Sequence, residues 1–314
     1  MAAVTVVVPT KDRPDLLACA VTSAVGQAGV DVAVMVVDDG SRVPVGDEVT
    51  ALAPDGVIAV HRHDVARGVC AARNAGLARI RTPWVAFLDD DDLWAPMKLR
   101  RQLDAAAAGG RSWACSAAVA FTGSEVLDVV DPPAHDDVAE QLLTGNHVPG
   151  GGSGVLVLTD LLREVGGFDE SLATVGDWDC WIRLAQRSPV ARVHAADVGY
   201  RVHAAGMAHD VARLEREVVL MTAKYARWDP PLHVRPDRHF FAYLARLEYR
   251  GGNSRAALRR TWDLLMEHRH PAALTTPLRH ALPRPAQGWL RARRLACRPE
   301  SDWAWLARAA DASA

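Results

Sequence analysis

The sequence lacks the patterns that mark disulfide-bonded, membrane-spanning and secreted proteins. Its five cysteines are scattered singly, with neither CxxC spacing nor the density of a disulfide scaffold, which predicts a reducing cytosol and mostly buried thiols. No uncharged apolar run approaches the roughly 18 residues that cross a bilayer. The chain begins Met-Ala-Ala-Val and enters an apolar strand without the basic and apolar stretches of a secretory signal. These absences together predict a cytoplasmic protein.

Two glycine-rich signatures of nucleotide binding are also absent after the first predicted strand. The missing G-x-G-x-x-G argues against a dinucleotide-binding fold, and the missing G-x-x-x-x-G-K-[ST] argues against a P-loop. No Ser-His-Asp or Cys-His arrangement is evident, so a covalent enzyme intermediate is not expected.

The composition itself is that of an ordinary globular protein. Hydrophobic residues make up 49% and charged residues 24% of the 314, which is enough to bury one large core or two. The net charge of -2 hides opposite balances, since residues 1–205 contain 17 Lys+Arg against 27 Asp+Glu, whereas residues 206–314 contain 19 against 11. We therefore expect domains at 1–205 and 206–314. The basic part could meet an anionic acceptor or membrane, or its helices could dock on the acidic domain.

Four short, valine-rich runs predict buried strands. Because their apolar residues do not alternate with polar ones, they fit strands covered on both faces, as in a parallel sheet. Between the first two runs Leu17, Val21 and Val25 recur at helical spacing, and a second helix of small residues begins near Gly68. The β-α-β-α-β order predicts a doubly wound α/β domain. The runs are Val4–Val8, Val32–Val37, Val57–Val60 and Val85–Leu88.

The later part of the chain shows mixed patterns. We expect a helix that includes Met97–Leu103 and a strand near Trp113–Phe121. The stretch Asp128–Gly154 is rich in Asp, Pro and Gly and predicts a loop. From about Arg213 to the end the pattern is helical with proline interruptions, which predicts a C-terminal helical extension.

Four consecutive aspartates, Asp89–Asp92, indicate a bound divalent cation. They follow the apolar run Trp84–Leu88, so their carboxylates leave the carboxyl end of a strand, where open α/β sheets place ligands. Mg²⁺ and Mn²⁺ prefer oxygen ligands, and near phosphates they are usually held by one or two carboxylates. The remaining aspartates could serve an acidic turn or a helix N-cap.

Polar residues also follow the first two strands, at Pro9–Arg13 and at Asp38–Ser41. The carboxyl ends of parallel strands lie at one edge of a sheet, so these two loops should be neighbours. A carboxylate there can accept hydrogen bonds from a base or a ribose. Asp-Asp-Gly-Ser is also a common plain turn, and both interpretations stay open.

Arg73 and Asp177 are the other candidates for chemistry. Arg73, in a helix of small residues, could bind a diphosphate with its guanidinium or pair with one of the clustered aspartates. Asp177 lies where a helix N-cap is expected. It could instead act as a general base, given burial and the neighbouring Trp178 and Trp181.

Six short motifs, each weak alone, occur in order over about two thirds of the chain. This set resembles the inverting family 2 glycosyltransferases of the GT-A fold. The resemblance implies transfer of a sugar from a nucleoside diphosphate sugar, expected to be a UDP-sugar, to a glycan, lipid-linked sugar, peptide or secondary metabolite. The motifs are Val-Pro-Thr at 8–10, Asp-Asp-Gly-Ser at 38–41, Ala-Arg-Asn-x-Gly at 72–76, Phe-Leu-Asp-x-Asp-Asp at 87–92, Gly-Gly-Phe-Asp-Glu at 166–170 and Asp-Trp-Asp-x-Trp-x-Arg-Leu at 177–184.

The resemblance also implies roles for individual residues. Asp89 and Asp91 match the family's Asp-x-Asp motif, whose last aspartate holds the Mn²⁺ or Mg²⁺ that bridges the diphosphate. His203 resembles a carboxy-proximal histidine that reaches the metal, although a lone histidine is more often structural. Asp177 aligns with the catalytic base. The positions implied to bind the donor are Pro9, Thr10, Asp12, Arg13, Asp38, Arg73, Asp89, Asp90, Gly151 and Gly152.

Two departures and two alternative functions qualify the resemblance. Gly176 stands where the family commonly has Glu, so the acceptor site need not follow the common pattern, and the lack of transmembrane helices argues against a processive synthase. A sugar-1-phosphate nucleotidyltransferase would need a basic glycine-rich loop, which Pro9–Arg13 is not. A non-catalytic carbohydrate-binding protein would be favoured by loss of Asp177 or of the Asp-x-Asp pair, and both are intact.

The partners of the C-terminal part are left open by the sequence. Arg291–Leu295 with Trp289 and Leu290 could form a basic amphipathic segment on an anionic membrane, at its inner face. The helices could equally shape an acceptor pocket or a homodimer interface. No nucleic acid partner is expected.

Overall fold

The computed structural model describes residues 3–133, 137–203, 210–268, 295 and 302–311. The chain divides into two compact units, which we call unit 1 (residues 1–139, 147–201 and 300–314) and unit 2 (residues 140–146 and 202–299). The predicted domain boundary after residue 205 lies outside the described residues. The same holds for residues 289–294 of the predicted basic amphipathic segment.

Unit 1 contains one mixed sheet, in the order β3-β2-β1-β4-β8-β6-β9-β5, with β7 paired to β6. The four strands β1–β4 pair in parallel, which confirms the predicted parallel α/β arrangement, while β5, β7 and β8 each pair antiparallel to their neighbours. The strands are Ala3–Thr10 (β1), Asp31–Asp38 (β2), Ile58–Arg62 (β3), Trp84–Phe87 (β4), Leu93–Trp94 (β5), Trp113–Thr122 (β6), Glu125–Val130 (β7), Val155–Leu158 (β8) and Ala191–Arg201 (β9).

The helices follow from caps and apolar spacing. Pro14 opens α1 at a first-turn position, where its missing N–H costs nothing. Gly110 ends α4 in the left-handed conformation. No helix in the described ranges is long and apolar enough to cross a bilayer. The helices are Pro14–Val25 (α1), Asp47–Thr50 (α2), Val69–Leu77 (α3), Lys98–Gly109 (α4), Val138–Gln141 (α5), Thr159–Glu164 (α6), Gly176–Ala185 (α7), Val211–Tyr225 (α8), Arg238–Arg250 (α9), Ser254–His268 (α10) and Ala304–Asp311 (α11).

The core of unit 1 forms around the valines of β1. Val6 and Val8 are completely buried, and Leu17 and Val21 of α1 pack in the same cluster. Each such side chain contributes about 1.5–3 kcal/mol by leaving water. On α3, a Cβ on Gly76 would lie 2.5 Å from Val7 Cγ1, so the small residues of this helix permit its close approach to the sheet.

The prediction of a loop over Asp128–Gly154 was wrong in part. The stretch begins inside β7, passes through α5 and ends in a 3₁₀ turn at Gly151–Gly154. Its first strand pairs with β6 across the two-residue connection Gly123-Ser124, where Gly123 has φ +54°. A glycine at this position is typical of a tight hairpin turn, and that signal was outweighed by the nearby Asp and Pro residues.

Candidate active site

The loops that follow β1 and β2 lie side by side, as predicted. Thr10 is in register with Asp38, and Pro9 precedes it in β1. The Asp12 amide donates to Ser41 Oγ at 3.0 Å, and the Arg42 amide donates to Asp12 Oδ1 at 2.7 Å. Asp12 has φ +56°, an uncommon value for a residue other than glycine. The two loops therefore form one connected edge above the parallel strands.

Asp38 is fully buried and holds its own loop in shape. Its Oδ1 accepts from the Ser41 amide at 2.8 Å, its Oδ2 accepts from the Val45 amide at 3.1 Å, and Arg62 donates to Oδ2 as well. Burial raises the pKa of Asp38, but hydrogen bonds from Ser41, Val45 and Arg62 outweigh it and keep this pKa below its usual value. Sequence reasoning missed Arg62, a residue in register with Asp38 at the end of β3.

The next aspartate, Asp39, organises the start of α3. Its carboxylate accepts from the amides of Arg67 and Gly68, each at 2.8 Å, and contacts His63 Nδ1 at 2.8 Å. Gly68 adopts φ +97° immediately before the first turn of α3. The Asp-Asp pair thus fixes two loops of the same sheet edge, one through each residue.

Within the aspartate run, Asp90 and Asp91 both form ion pairs with the guanidinium of Arg13. Arg13 Nη1 lies 3.1 Å from Asp90 Oδ1 and 2.7 Å from Asp91 Oδ2. Thr10 Oγ1 donates to the other oxygen of Asp90 at 2.8 Å. Burial, with the charge of Asp91 second, raises the pKa of the Asp90 carboxyl to about 6. The predicted donor-site residues Thr10, Arg13 and Asp90 are thus one hydrogen-bonded group.

Asp92 is buried and connects the aspartates to the glycine-rich turn. Ser153 Oγ donates to Asp92 Oδ2 at 2.6 Å and accepts from the Asp89 amide at 3.0 Å. The Arg201 amide donates to Asp92 Oδ1 at 2.9 Å, and Trp94 Nε1 donates to the Ser153 carbonyl at 2.9 Å. Burial and the charges of Asp91 and Asp89 raise the pKa of Asp92 well above its usual value.

Arg73 pairs with Asp89 rather than facing open solvent. Its Nη2 lies 2.6 Å from Asp89 Oδ1, and the guanidinium stacks 5.2 Å from the Phe168 ring centroid. The residue is only 4% exposed, and its Nε makes no hydrogen bond within the described part of the chain. Burial lowers the pKa of Arg73, but interactions with Asp89, Cys70 and Asp177 outweigh burial. The pKa of Arg73 therefore lies above its usual value. Of the two roles open from the sequence, the structure shows the ion pair.

Asp177 lies across the glycine-rich turn from this ion pair. The N-cap of α7 is Val175, so the prediction of an N-cap role for Asp177 was wrong and the residue belongs to the first helical turn. Its Oδ1 accepts from the Trp178 amide at 2.7 Å. A Cβ on Gly151 would lie 3.1 Å from Asp177 Oδ2, and a Cβ on Gly152 would lie 2.5 Å from Arg73 Nη2. The two glycines therefore leave room for one charged side chain each.

Glycine at position 176, where the resemblance implied glutamate, has a steric reason. A Cβ at this position would lie 2.3 Å from the sulfur of Cys70, which is itself buried in α3. Any side chain at position 176 must therefore displace Cys70. The two residues form a complementary pair that sets the distance between α7 and α3.

Gly176→Ala should consequently destabilise the fold, and removing the sulfur should reverse the effect. We expect a loss of about 1–3 kcal/mol in the free energy of unfolding from overpacking. The double variant Gly176→Ala with Cys70→Ala should recover part of it, measured by denaturant unfolding. Gly46→Ala is the control, because a Cβ there meets nothing within 4 Å. Equal destabilisation in the single and double variants would contradict the pairing.

No group of three or more His, Cys, Asp or Glu side chains is placed to hold a metal in the described residues. One or two carboxylates are nevertheless enough for Mg²⁺ or Mn²⁺ when a bound diphosphate and water supply the other ligands. Asp89 and Asp91 have side chains 25% and 17% exposed, whereas Asp90 is buried at 8%. Asp89 and Asp91 are therefore the two carboxylates that would hold such an ion beside a bound diphosphate. His203 belongs to unit 2, and its role at a metal stays a prediction.

Residues 5–153 match the model of the family described as Glycosyl transferase family 2. This stretch, just under half of the chain, resembles a family 2 glycosyltransferase domain. The chain is 31% identical over 254 residues to the pre-mycofactocin glycosyltransferase of Mycobacterium tuberculosis, covering 75% of this chain and 48% of that relative. It is 41% identical over 107 residues to the succinoglycan biosynthesis protein ExoO of Rhizobium meliloti, covering 34% and 30%. The chain thus spans less than half the length of these two curated relatives.

Solved structures share the architecture of this chain. S. aureus TarS 1–349 in complex with UDP-GlcNAc superposes with a TM-score of 0.59 at 16% identity, over 100% of this chain and 88% of that one. The mannosyltransferase PcManGT of Pyrobaculum calidifontis, in complex with GDP-Man and Mn²⁺, gives 0.55 at 18% identity, over 99% and 85%. At these identities the likeness concerns the fold, and it confirms the predicted GT-A fold.

Proposed function

We propose that the protein is a metal-dependent, inverting glycosyltransferase that moves a sugar from a nucleoside diphosphate sugar to an acceptor hydroxyl. The observation that carries the proposal is that Asp177 and the Arg73–Asp89 pair lie against two neighbouring glycines of one turn. A Cβ built on the first glycine would lie 3.1 Å from Asp177 Oδ2, and a Cβ built on the second would lie 2.5 Å from Arg73 Nη2. A carboxylate able to accept a proton and a cation able to offset the negative charge of a leaving group therefore both approach the same turn. The family 2 match and the UDP-GlcNAc complex of TarS support a sugar nucleotide, and we propose UDP as its nucleoside diphosphate.

The loops after β1 and β2 are proposed to bind the nucleotide. Pro9, Thr10 and Asp38 would face base and ribose, with Asp12 completing the loop contact that holds both segments together. Because Asp38 is buried and already accepts three hydrogen bonds, its contribution is to shape the loop as much as to contact the ligand. Such a preformed edge lowers the ordering cost of donor binding.

The diphosphate is proposed to lie beside Asp89 and Asp91, with Asp91 as the residue that would hold Mn²⁺ or Mg²⁺. Bound there, the ion would neutralise charge on the leaving diphosphate. The structure of PcManGT in complex with GDP-Man and Mn²⁺ supports a divalent ion. Arg13, which pairs with Asp91, would have to release this carboxylate and could turn to a phosphate oxygen.

Asp177 is proposed as the general base. Its carboxylate would take the proton of the acceptor hydroxyl while the hydroxyl oxygen forms a bond to the anomeric carbon and the nucleoside diphosphate leaves from the opposite face. A single displacement of this kind inverts the anomeric centre. The charge of Asp177 helps to raise the pKa of the buried Arg73, so the two groups lie within electrostatic reach of each other.

The donor proposal is tested by calorimetry with a panel of sugar nucleotides, with and without Mn²⁺, on the full chain. We expect at least one donor to bind only with a divalent ion present, and Asp91→Ala to weaken that binding at least tenfold, which is about 1.4 kcal/mol. Asp160→Ala, which alters an almost fully exposed aspartate on α6, should bind as the wild type does. Binding of no sugar nucleotide, or metal-independent binding that Asp91→Ala leaves unchanged, would refute the proposal.

A further inference from the structure

The outer face of α10, in unit 2, is apolar although it faces solvent. Leu258, Trp262 and Met266 follow one another at four-residue spacing and are 56%, 62% and 63% exposed. Residues four apart lie on the same side of a helix, so the three form one continuous stripe along α10. We call these three residues the α10 stripe. With a tryptophan at its centre, the stripe exposes more contiguous apolar surface than an isolated surface leucine does.

The stripe is not needed to hold α10 in unit 2. The opposite side of the helix carries Ala257 and Leu264, which are buried, and α10 packs against α9. Arg260, on the packed side, is bound to Glu215 at 2.9 Å and Glu248 at 3.3 Å. The inner face of α10 therefore provides the packing and the ion pairs that hold the helix in unit 2, and the stripe contributes to neither.

Positive charge accompanies the stripe. At about 100° per residue, Arg255 lies within its angular range and Arg259 at its edge, while Asp263 lies further round the helix. Both arginines are exposed. Residues 206–314 as a whole contain 19 Lys+Arg against 11 Asp+Glu. An apolar stripe with a central tryptophan and flanking arginines is the pattern of helices that lie in a membrane interface.

We propose that the α10 stripe rests on an anionic lipid surface, with its apolar side chains among the acyl chains and Arg255 and Arg259 at the phosphates. A second copy of the chain is the less suitable occupant. A twofold contact would place one arginine-bearing stripe on another, whereas an anionic bilayer offers acyl chains to the apolar side chains and phosphates to the arginines. The proposal is independent of the donor site and concerns unit 2 alone.

Flotation of the full chain with vesicles tests this assignment. The protein should float with phosphatidylcholine vesicles that contain phosphatidylglycerol and should stay unbound with phosphatidylcholine alone. Trp262→Ser, and separately Arg255→Glu combined with Arg259→Glu, should each lower the bound fraction at least tenfold. Because these side chains are exposed, the melting temperature should not change, which separates lost binding from lost folding.

Matched controls are available in unit 1. Val130→Ser removes another exposed apolar side chain and Arg81→Glu reverses another exposed arginine, and both should bind vesicles as the wild type does. Equal binding of all variants, or no binding to anionic vesicles, would overturn the proposal. So would a wild-type dimer in sedimentation experiments that Trp262→Ser converts to a monomer, because the occupant would then be a second copy.

Discussion

Replacing Asp177 with asparagine is expected to lower the rate of sugar transfer by roughly 10²–10⁴, the usual contribution of a general base, while donor affinity stays unchanged. Asparagine has the same shape and can keep the hydrogen bond that Oδ1 accepts from the Trp178 amide at 2.7 Å. It cannot accept a proton from a hydroxyl at neutral pH. The turnover number should be measured by release of the nucleoside diphosphate, and the donor dissociation constant by calorimetry.

Two results would contradict the role of Asp177. Unchanged turnover would place the base elsewhere, and a parallel loss of donor affinity would make Asp177 a donor-binding residue. The pH profile provides a second readout, because the fall in kcat/KM on the acid side should disappear if that limb reports protonation of Asp177. A purely structural role would leave the shape of the profile intact.

The second large effect is expected for Gly152→Ala, which inserts a methyl group 2.5 Å from Arg73 Nη2 and 3.0 Å from its Cζ. Arg73 is buried beside Phe168, so it must shift away from Asp89. Overpacking of this kind costs about 1–3 kcal/mol of unfolding free energy. Misplacing a charged group at a reacting centre by an ångström can cost about 10² in rate, and we expect a loss of at least that size.

A double-variant cycle isolates the cause of the Gly152 effect. In an Arg73→Ala background the added methyl group meets no guanidinium, so Gly152→Ala should then cost little further stability. Gly46→Ala is again the control, with φ -123° and open space around the new Cβ. If Gly152→Ala leaves both the melting temperature and the donor affinity at wild-type values, Arg73 is not held where the structure places it.

The strands and the helices that cover them were largely predictable. The valine runs correspond to β1–β4, and the apolar spacing of Leu17 and Val21 corresponds to α1. The expected burial on both faces was wrong for β3, which lies at the edge of the sheet and buries only Ile58. These signals are local, because a strand covered on both faces must be apolar along its whole length. The return of the chain to unit 1 at α11 was not predictable, since Leu306 packs beside Val119 and Phe121, which are far away in sequence.

The neighbourhood of the candidate site was also predictable, but not its pairings. Parallel strand ends must meet at one edge of a sheet, so the loops at Thr10 and Asp38 were expected to touch, and they do. Nothing local indicates that Arg13 neutralises Asp91, 78 residues away, or that Ser153 links two aspartates. Ser153 has no periodic or compositional signal beyond its place among glycines.

By itself the sequence determined the class of the chain: a parallel α/β domain with carboxylates at the strand ends and a helical, basic extension. These follow from side-chain periodicity and from the direction of the strands, which are properties of short segments. Only the tertiary structure decided that Arg73 faces Asp89, that Gly151 and Gly152 make room for Asp177 and Arg73, and that Gly176 is required by Cys70. Those contacts join segments up to about a hundred residues apart, and steric exclusion between them depends on distances that no local pattern encodes.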